Sequence, residues 1–104
     1  MPAMNDPLPP LDIRHNERES RFEAIVDGQT AFAAYDRDDD VLRVYHTSVP
    51  ASLEGRGIAA AIVRSAMEYA RANDFKVEPG CSYVRAYMKR HPETHALLPP
   101  GFRL

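Results

Sequence analysis

Apolar and polar residues alternate along the first half of the chain and switch to a helical period in the second. Phe22, Ala24 and Val26 share one face of a strand. Asp27-Gly28 follows as a tight-turn pair, and Thr30 to Tyr35 reads as the return strand. Asp36 to Asp40 is a charged turn. Val41 to Val49 is the longest expected strand, with Leu42, Val44 and His46 on one side and Val41, Tyr45, Thr47 and Val49 on the other. Strands this close in sequence form an antiparallel meander. Pro50 ends the third of them, and Ala51 to Gly55 is a loop.

From Gly57 to about Asn73 the period is that of a helix. Ile58, Ile62, Val63, Ala66, Met67 and Ala70 make an apolar stripe, while Arg64, Ser65, Glu68 and Arg71 face water. Phe75 to Val77 is a short strand, broken by Pro79-Gly80. Ser82 is expected to cap a second helix that runs to about His91 and stops at Pro92. A helix between two strands permits a parallel pair through a right-handed crossover. The predicted class is therefore α+β: an antiparallel meander, then helix, strand and helix, in one mixed sheet with helices on it. Residues 1–10, with four prolines, read as a flexible tail. Residues 11–93 read as one compact domain and 94–104 as a C-terminal tail.

Composition narrows the function classes. The chain has 104 residues, enough for one core, and a net charge of −2, which gives no basic field for nucleic acid. Its apolar runs are too short for a membrane span, and no secretory signal is visible at the N-terminus. The single Cys81 rules out an internal disulfide framework. These features favour the cytoplasm, without membrane or nucleic-acid partners, as a monomer or weak dimer. His15 and His95 lack metal-ligand spacing, and Asp36 to Asp40 lacks the calcium-loop pattern, so no metal is expected.

Gly55-Arg56-Gly57-Ile58-Ala59-Ala60 is the stretch richest in chemistry. Glycines let backbone approach a ligand closely. The helix after them aims free N–H groups and the positive end of its dipole back at the loop, where anions bind. The run matches the dinucleotide fingerprint in form, but a loop intervenes after the strand and the chain is too short for a doubly wound sheet. No Lys-Ser or Lys-Thr follows the second glycine, so a Walker loop is excluded.

Four segments carry a family resemblance. They are His46-Thr47-Ser48-Val49-Pro50, Leu53-Glu54-Gly55-Arg56-Gly57-Ile58-Ala59, Pro79-Gly80-Cys81-Ser82-Tyr83-Val84 and Tyr87-Met88-Lys89-Arg90-His91-Pro92. Together they resemble the small single-domain GNAT acyl-CoA N-acyltransferases, over about Arg21 to Glu93. The resemblance implies acetyl-CoA as cofactor and an amine as acceptor. It also implies a backbone cradle for the coenzyme pyrophosphate. Gly57 and Ala59 match the family's loop pattern, while Glu54 stands where Gln or Arg is usual. The coenzyme-binding residues it implies are Val49, Glu54, Gly55, Arg56, Gly57, Ile58, Ala59, Ala60 and Tyr83. It further implies a splayed pair of strands, here Val41–Val49 and Phe75–Val77, that offers a backbone N–H to the acyl oxygen.

Three side chains are candidates for the chemistry. Cys81, before a helix start and near Arg85, either accepts the acetyl group as a thiolate or fills space at a strand end. His46 either deprotonates the amine or hydrogen-bonds at the sheet edge. Tyr87, like Tyr83, either protonates the departing thiolate, a role the resemblance implies for a tyrosine on this helix, or packs with its hydroxyl outward. Lys89, Arg90 and His91 complement the second helix dipole or meet the coenzyme 3′-phosphate. The leading reading is a small N-acetyltransferase. A coenzyme A-binding module without turnover and a protein-interaction domain with a structural glycine loop are its rivals.

Overall fold

Five strands form one sheet in the order in which they occur along the chain. The structure, a computed structural model, describes residues 11–104; the expected N-terminal tail lies outside the described residues. The strands are β1 (Ile13–Asn16), β2 (Arg21–Val26), β3 (Gln29–Asp38), β4 (Val41–Ser48) and β5 (Lys76–Pro79). β1 to β4 are the antiparallel meander, and β5 runs parallel to β4 through the crossover helix α1 (Ile58–Ala72). A second helix, α2 (Ser82–Arg90), follows β5. β1 joins the edge without having been read as a strand, because four residues are too few to show a period.

Asp27 and Gly28 both have positive φ, 52° and 73°, and link Val26 directly to its partner Gln29. That is the two-residue hairpin the dipeptide signals. The core lies between one sheet face and the helices. Phe22, Ala24, Ala31, Ala33, Leu42, Val44 and Val77 come from the sheet, and the α1 stripe from Ile58 to Ala70 packs on them with Val84 and Met88 of α2. The small side chains of Ala24, Ala31 and Ala33 on the sheet, and of Ala66 and Ala70 on α1, suit a close approach of helix and strands.

Three expectations need correction. Cys81 is the N-cap of α2 and Ser82 its first helical residue, with no side-chain cap bond. Residues past Pro92 are not a loose tail. Pro92–Leu97 forms a 3-10 segment that buries Thr94 and Leu97, and Thr94 Oγ1 donates to the His91 carbonyl at 2.7 Å.

The third correction concerns β4. Ala34 pairs with His46 and Tyr35 with Val44, so Tyr45 is an extra residue, a bulge. One inserted residue reverses the in-out alternation beyond it. His46 therefore leaves the Leu42 and Val44 face and stands on the opposite one, its ring centroid 5.8 Å from that of Phe32.

At the β1 edge, His15 stacks on Phe22 at 4.1 Å and shares a 2.6 Å hydrogen bond between Nε2 and the Tyr35 hydroxyl. Burial lowers its pKa, with nearby Glu17 pulling the other way. The unfolded chain takes up this proton near pH 6.5, whereas the fold resists it to a lower pH. Stability should be full above that value and fall as the pH drops below it. Urea titrations at pH 7.5 and 5.5 should show this loss, and His15→Phe should lessen it. An equal loss in the variant would assign the pH dependence to other groups.

Candidate functional site

The parallel ladder between β4 and β5 is short. It runs from the pair Val41 and Lys76 to the pair Val44 and Pro79, and its last bond is Gly80 N–H to the Val44 carbonyl at 2.8 Å. Beyond Val44, the β4 edge facing β5 has no ladder partner among the described residues. The bulge at Tyr45 and the turn of the chain into α2 pull the two strands apart there.

On the helix side of this opening lies a cavity of about 530 Å³. Thr47, Ser48 and Val49 form one wall, Leu53 to Gly55 and Gly57 to Ala60 another, and Tyr83 of α2 stands across from them. The size suits a small-molecule ligand. Leu53 is 1% exposed and holds the loop down, while every other residue from Ala51 to Gly57 is exposed.

The loop carries the local geometry. Gly55 and Gly57 both sit at positive φ, 82° and 75°, and a Cβ built on either would meet open space. Gly57 is the N-cap of α1 and has no side chain with which to cap it. No acid stands in the first turn. The N–H groups of that turn thus keep their donor capacity toward the cavity, and the helix dipole adds positive potential. A phosphate-bearing group fits the wall at the first turn of α1, which offers donors and room, while Glu54 is the one carboxylate in the cavity lining.

The expected residues divide into two groups. Val49, Glu54, Gly55, Gly57, Ile58, Ala59, Ala60 and Tyr83 meet around the one cavity. Arg56 does not. Its guanidinium is turned to Asp27 on the β2–β3 turn, at 3.2 Å. Cys81 is half-buried at the start of α2 and outside the cavity lining. Arg85, the expected partner of its thiol, instead reaches the Arg103 carbonyl at 3.4 Å and lies over the Phe102 ring.

Tyr87 is not brought to this cavity either. It lies in a groove with Arg64 and His91, its ring stacked on His91 at 4.1 Å. Burial raises its pKa, with the Arg64 charge opposing, so it stays protonated at neutral pH. His91 pairs with Glu93 at 3.3 Å, and Lys89 and Arg90 are exposed. Thr47, Ser48 and Leu53 line the cavity but were not among the expected coenzyme-binding residues. Their place at the strand end beside the loop was the available signal; the bulge that turns Thr47 inward was not visible in the sequence.

A mixed sheet that opens beside a glycine-bordered helix N-terminus defines a class of fold known from acyl transfer. The chain belongs to the GCN5-related N-acetyl-transferase family, whose sequence profile matches residues 21–97. It is similar to Protein NATD1 of Xenopus tropicalis, with 28% identity over 90 residues that cover 84% of this chain and 83% of that one. Protein NATD1 of Homo sapiens is also 28% identical, over 86 residues covering 80% and 76% of the two chains. The fold matches the solution structure of a GCN5-like protein from Staphylococcus aureus with a TM-score of 0.70 and 23% identity, over 89% of this chain and 91% of that one. Among the described residues no helix is long and apolar enough to cross a membrane.

Proposed function

We propose that this chain is an N-acetyltransferase that uses acetyl-CoA and holds the coenzyme diphosphate on the backbone of residues 55–60. The observation that carries the reading is the uncapped start of α1, with two positive-φ glycines, opening into a cavity beside the parted strands. When bound, acetyl-CoA supplies an activated acyl thioester; transfer breaks its C–S bond, forms an amide N–C bond and leaves the amine's proton on sulfur.

The chain's own residues set the rest. The free edge of β4 beyond Val44 has backbone N–H groups available for the acyl oxygen, the electrostatic help such a reaction needs. Tyr83, not Tyr87, is the tyrosine beside the cavity and takes the coenzyme side. His46 stands on the sheet face that, among the described residues, no helix covers, where it serves as base for an amine arriving from that side. With the coenzyme on the helix face, the amine has only the other face from which to approach. The acyl end and the acceptor then meet at the opening between β4 and β5. A cytoplasmic monomer or weak dimer is part of the same reading.

Calorimetric titration with coenzyme A tests the cofactor. Heat of binding and a rise in melting temperature are expected, because a ligand of the native state stabilises it by about 2.7 kcal/mol at a hundredfold excess over Kd. Absence of both at millimolar ligand would remove the enzyme reading. A second reading, coenzyme binding without turnover, is favoured by one fact: His46 and Cys81 lie outside the lining of the cavity. Acetyl transfer to any amine in a broad panel would dispose of it.

Cys81→Ala distinguishes two routes of transfer. Arg85 is turned away and Cys81 lies outside the cavity lining, so direct transfer is the expected route. The variant should keep its rate within about threefold, since on the direct route the thiol touches neither reactant and its loss only removes packing at a half-buried site. A loss of a hundredfold, or an acetyl group found on Cys81 by intact mass, would instead establish the covalent route.

A further inference from the structure

The sheet face opposite α1 and α2 bears on the acceptor. The register places Phe32, Ala34, Asp36 and Asp38 of β3, Arg43 and His46 of β4, and Glu78 of β5 on it. A hollow of about 340 Å³ lies there, with Asp36, Arg43 and Glu78 in its wall. Arg43 occupies a particular place in it. Its Cγ and Nη1 lie over Gly80, each 3.1 Å from where a Cβ of residue 80 would stand. Gly80 makes the last bond of the β4–β5 ladder. The side chain therefore covers the point at which the two strands part, on the side from which the amine comes.

What holds Arg43 there is a cation site. Its Nη2 donates to Asp36 Oδ2, its Cζ is 5.3 Å from the centre of the Tyr45 ring, and Glu78 stands opposite it in register. A carboxylate and an aromatic face recognise any organic cation, not guanidinium alone. The hold is weak. The arginine side chain is 45% exposed and that of Asp36 59%, and water screens exposed pairs of this kind. One cation can thus replace another at little net cost.

We propose that Arg43 is the gate of the acceptor's way in, and that the acceptor is a small aliphatic polyamine. One ammonium of the polyamine takes the place of the Arg43 guanidinium on Asp36 and Tyr45 while a second amine, as free base, reaches the opening between β4 and β5. The inference rests on the proposed acetyl transfer. The hollow is at the small end of ligand sites, which favours a free amine over a polypeptide. Arg43 is a specificity-determining residue in this account. It competes with the acceptor and lowers its apparent affinity, as any internal occupant of a binding site does.

Spermidine is the probe, and the readout is binding to the full chain rather than turnover. In nitrogen-15 spectra the Arg43 Nε–H signal should shift on titration while that of Arg14 stays. By calorimetry, Arg43→Ala should bind spermidine about three- to fivefold more tightly than wild type, Asp36→Asn about three- to fivefold more weakly, and Arg43→Lys within twofold. An Arg43 signal that stays put while others move would overturn the gate, as would an Arg43→Ala variant that binds no more tightly. Tighter binding of a lysine-rich peptide than of spermidine would overturn the choice of a small amine. Coenzyme A titrated into the same samples keeps the two readings apart. If it binds and spermidine leaves Arg43 unmoved, the gate fails alone. If it does not bind, the transferase reading fails whatever spermidine does.

Discussion

A Gly57→Val variant is expected to lose at least tenfold in coenzyme A affinity while keeping its fold. Two effects act together. Residue 57 has a φ of 75°, and a β-branched side chain in the left-handed region costs roughly 1–2 kcal/mol. The backbone will relax away from that conformation, and the first-turn N–H groups of α1 will turn with it. The added atoms also stand in open space in front of the helix, where a diphosphate would lie. A tenfold loss corresponds to about 1.4 kcal/mol, the scale of a single charge-assisted hydrogen bond, so the figure is a lower bound. Calorimetry measures the affinity. Far-ultraviolet circular dichroism should stay close to wild type, because the exposed loop contributes little to the core. Undiminished binding would mean that the anion cradle is elsewhere in the molecule. Gly57→Ala should fall between the two, as alanine tolerates the conformation better than valine.

Leu53→Ala should have the largest effect on stability and should also weaken the coenzyme site. Leu53 is 1% exposed and is the one buried side chain between Ala51 and Gly57. Its N–H bonds to the Pro50 carbonyl at 2.8 Å in a short 3-10 turn, so the backbone as well as the side chain depends on the anchor. Truncating a buried leucine costs about 2–5 kcal/mol, a large part of the roughly 5–15 kcal/mol that holds a domain of this size. The melting temperature should fall by roughly 10 °C or more. Coenzyme affinity measured well below the transition should fall too, since the other ties of the loop, Arg56 to Asp27 and Gln29 to Ser52, are exposed and weak. Leu53→Met should retain most of both. A loss of affinity with no loss of stability would show that Leu53 acts by touching the ligand and not by anchoring the loop.

The candidate site was legible to different depths along the chain. The glycine loop could be recognised because its signal is local: two glycines, then a helical period. The wall formed by Gly55 and Gly57–Ala60 follows from those few residues and the helix they start. Arg56 shows where such reading ends. Nothing near it in sequence predicts that Asp27, on a hairpin turn of another pair of strands, draws its guanidinium away. Arg85 is a second case, drawn to Phe102 and Arg103 rather than to Cys81. Tyr83 and Tyr87 are one helical turn apart and were equally eligible by spacing. The packing of α2 in the fold places Tyr83 at the cavity and Tyr87, one turn on, beside His91 and Arg64.

The chain's own pattern determined the α+β class, the Asp27-Gly28 hairpin, the apolar stripe of α1 and the loop before it, because periodicity and turn chemistry act between near neighbours. Tertiary structure alone decided which face His46 occupies, where β4 and β5 part, and that Arg43 covers the gap. Each of these depends on the bulge at Tyr45 or on the pairing of strands far apart in sequence. A single unpaired residue reverses every side chain beyond it, and whether it is unpaired is settled by the partner strand, not by the strand that carries it.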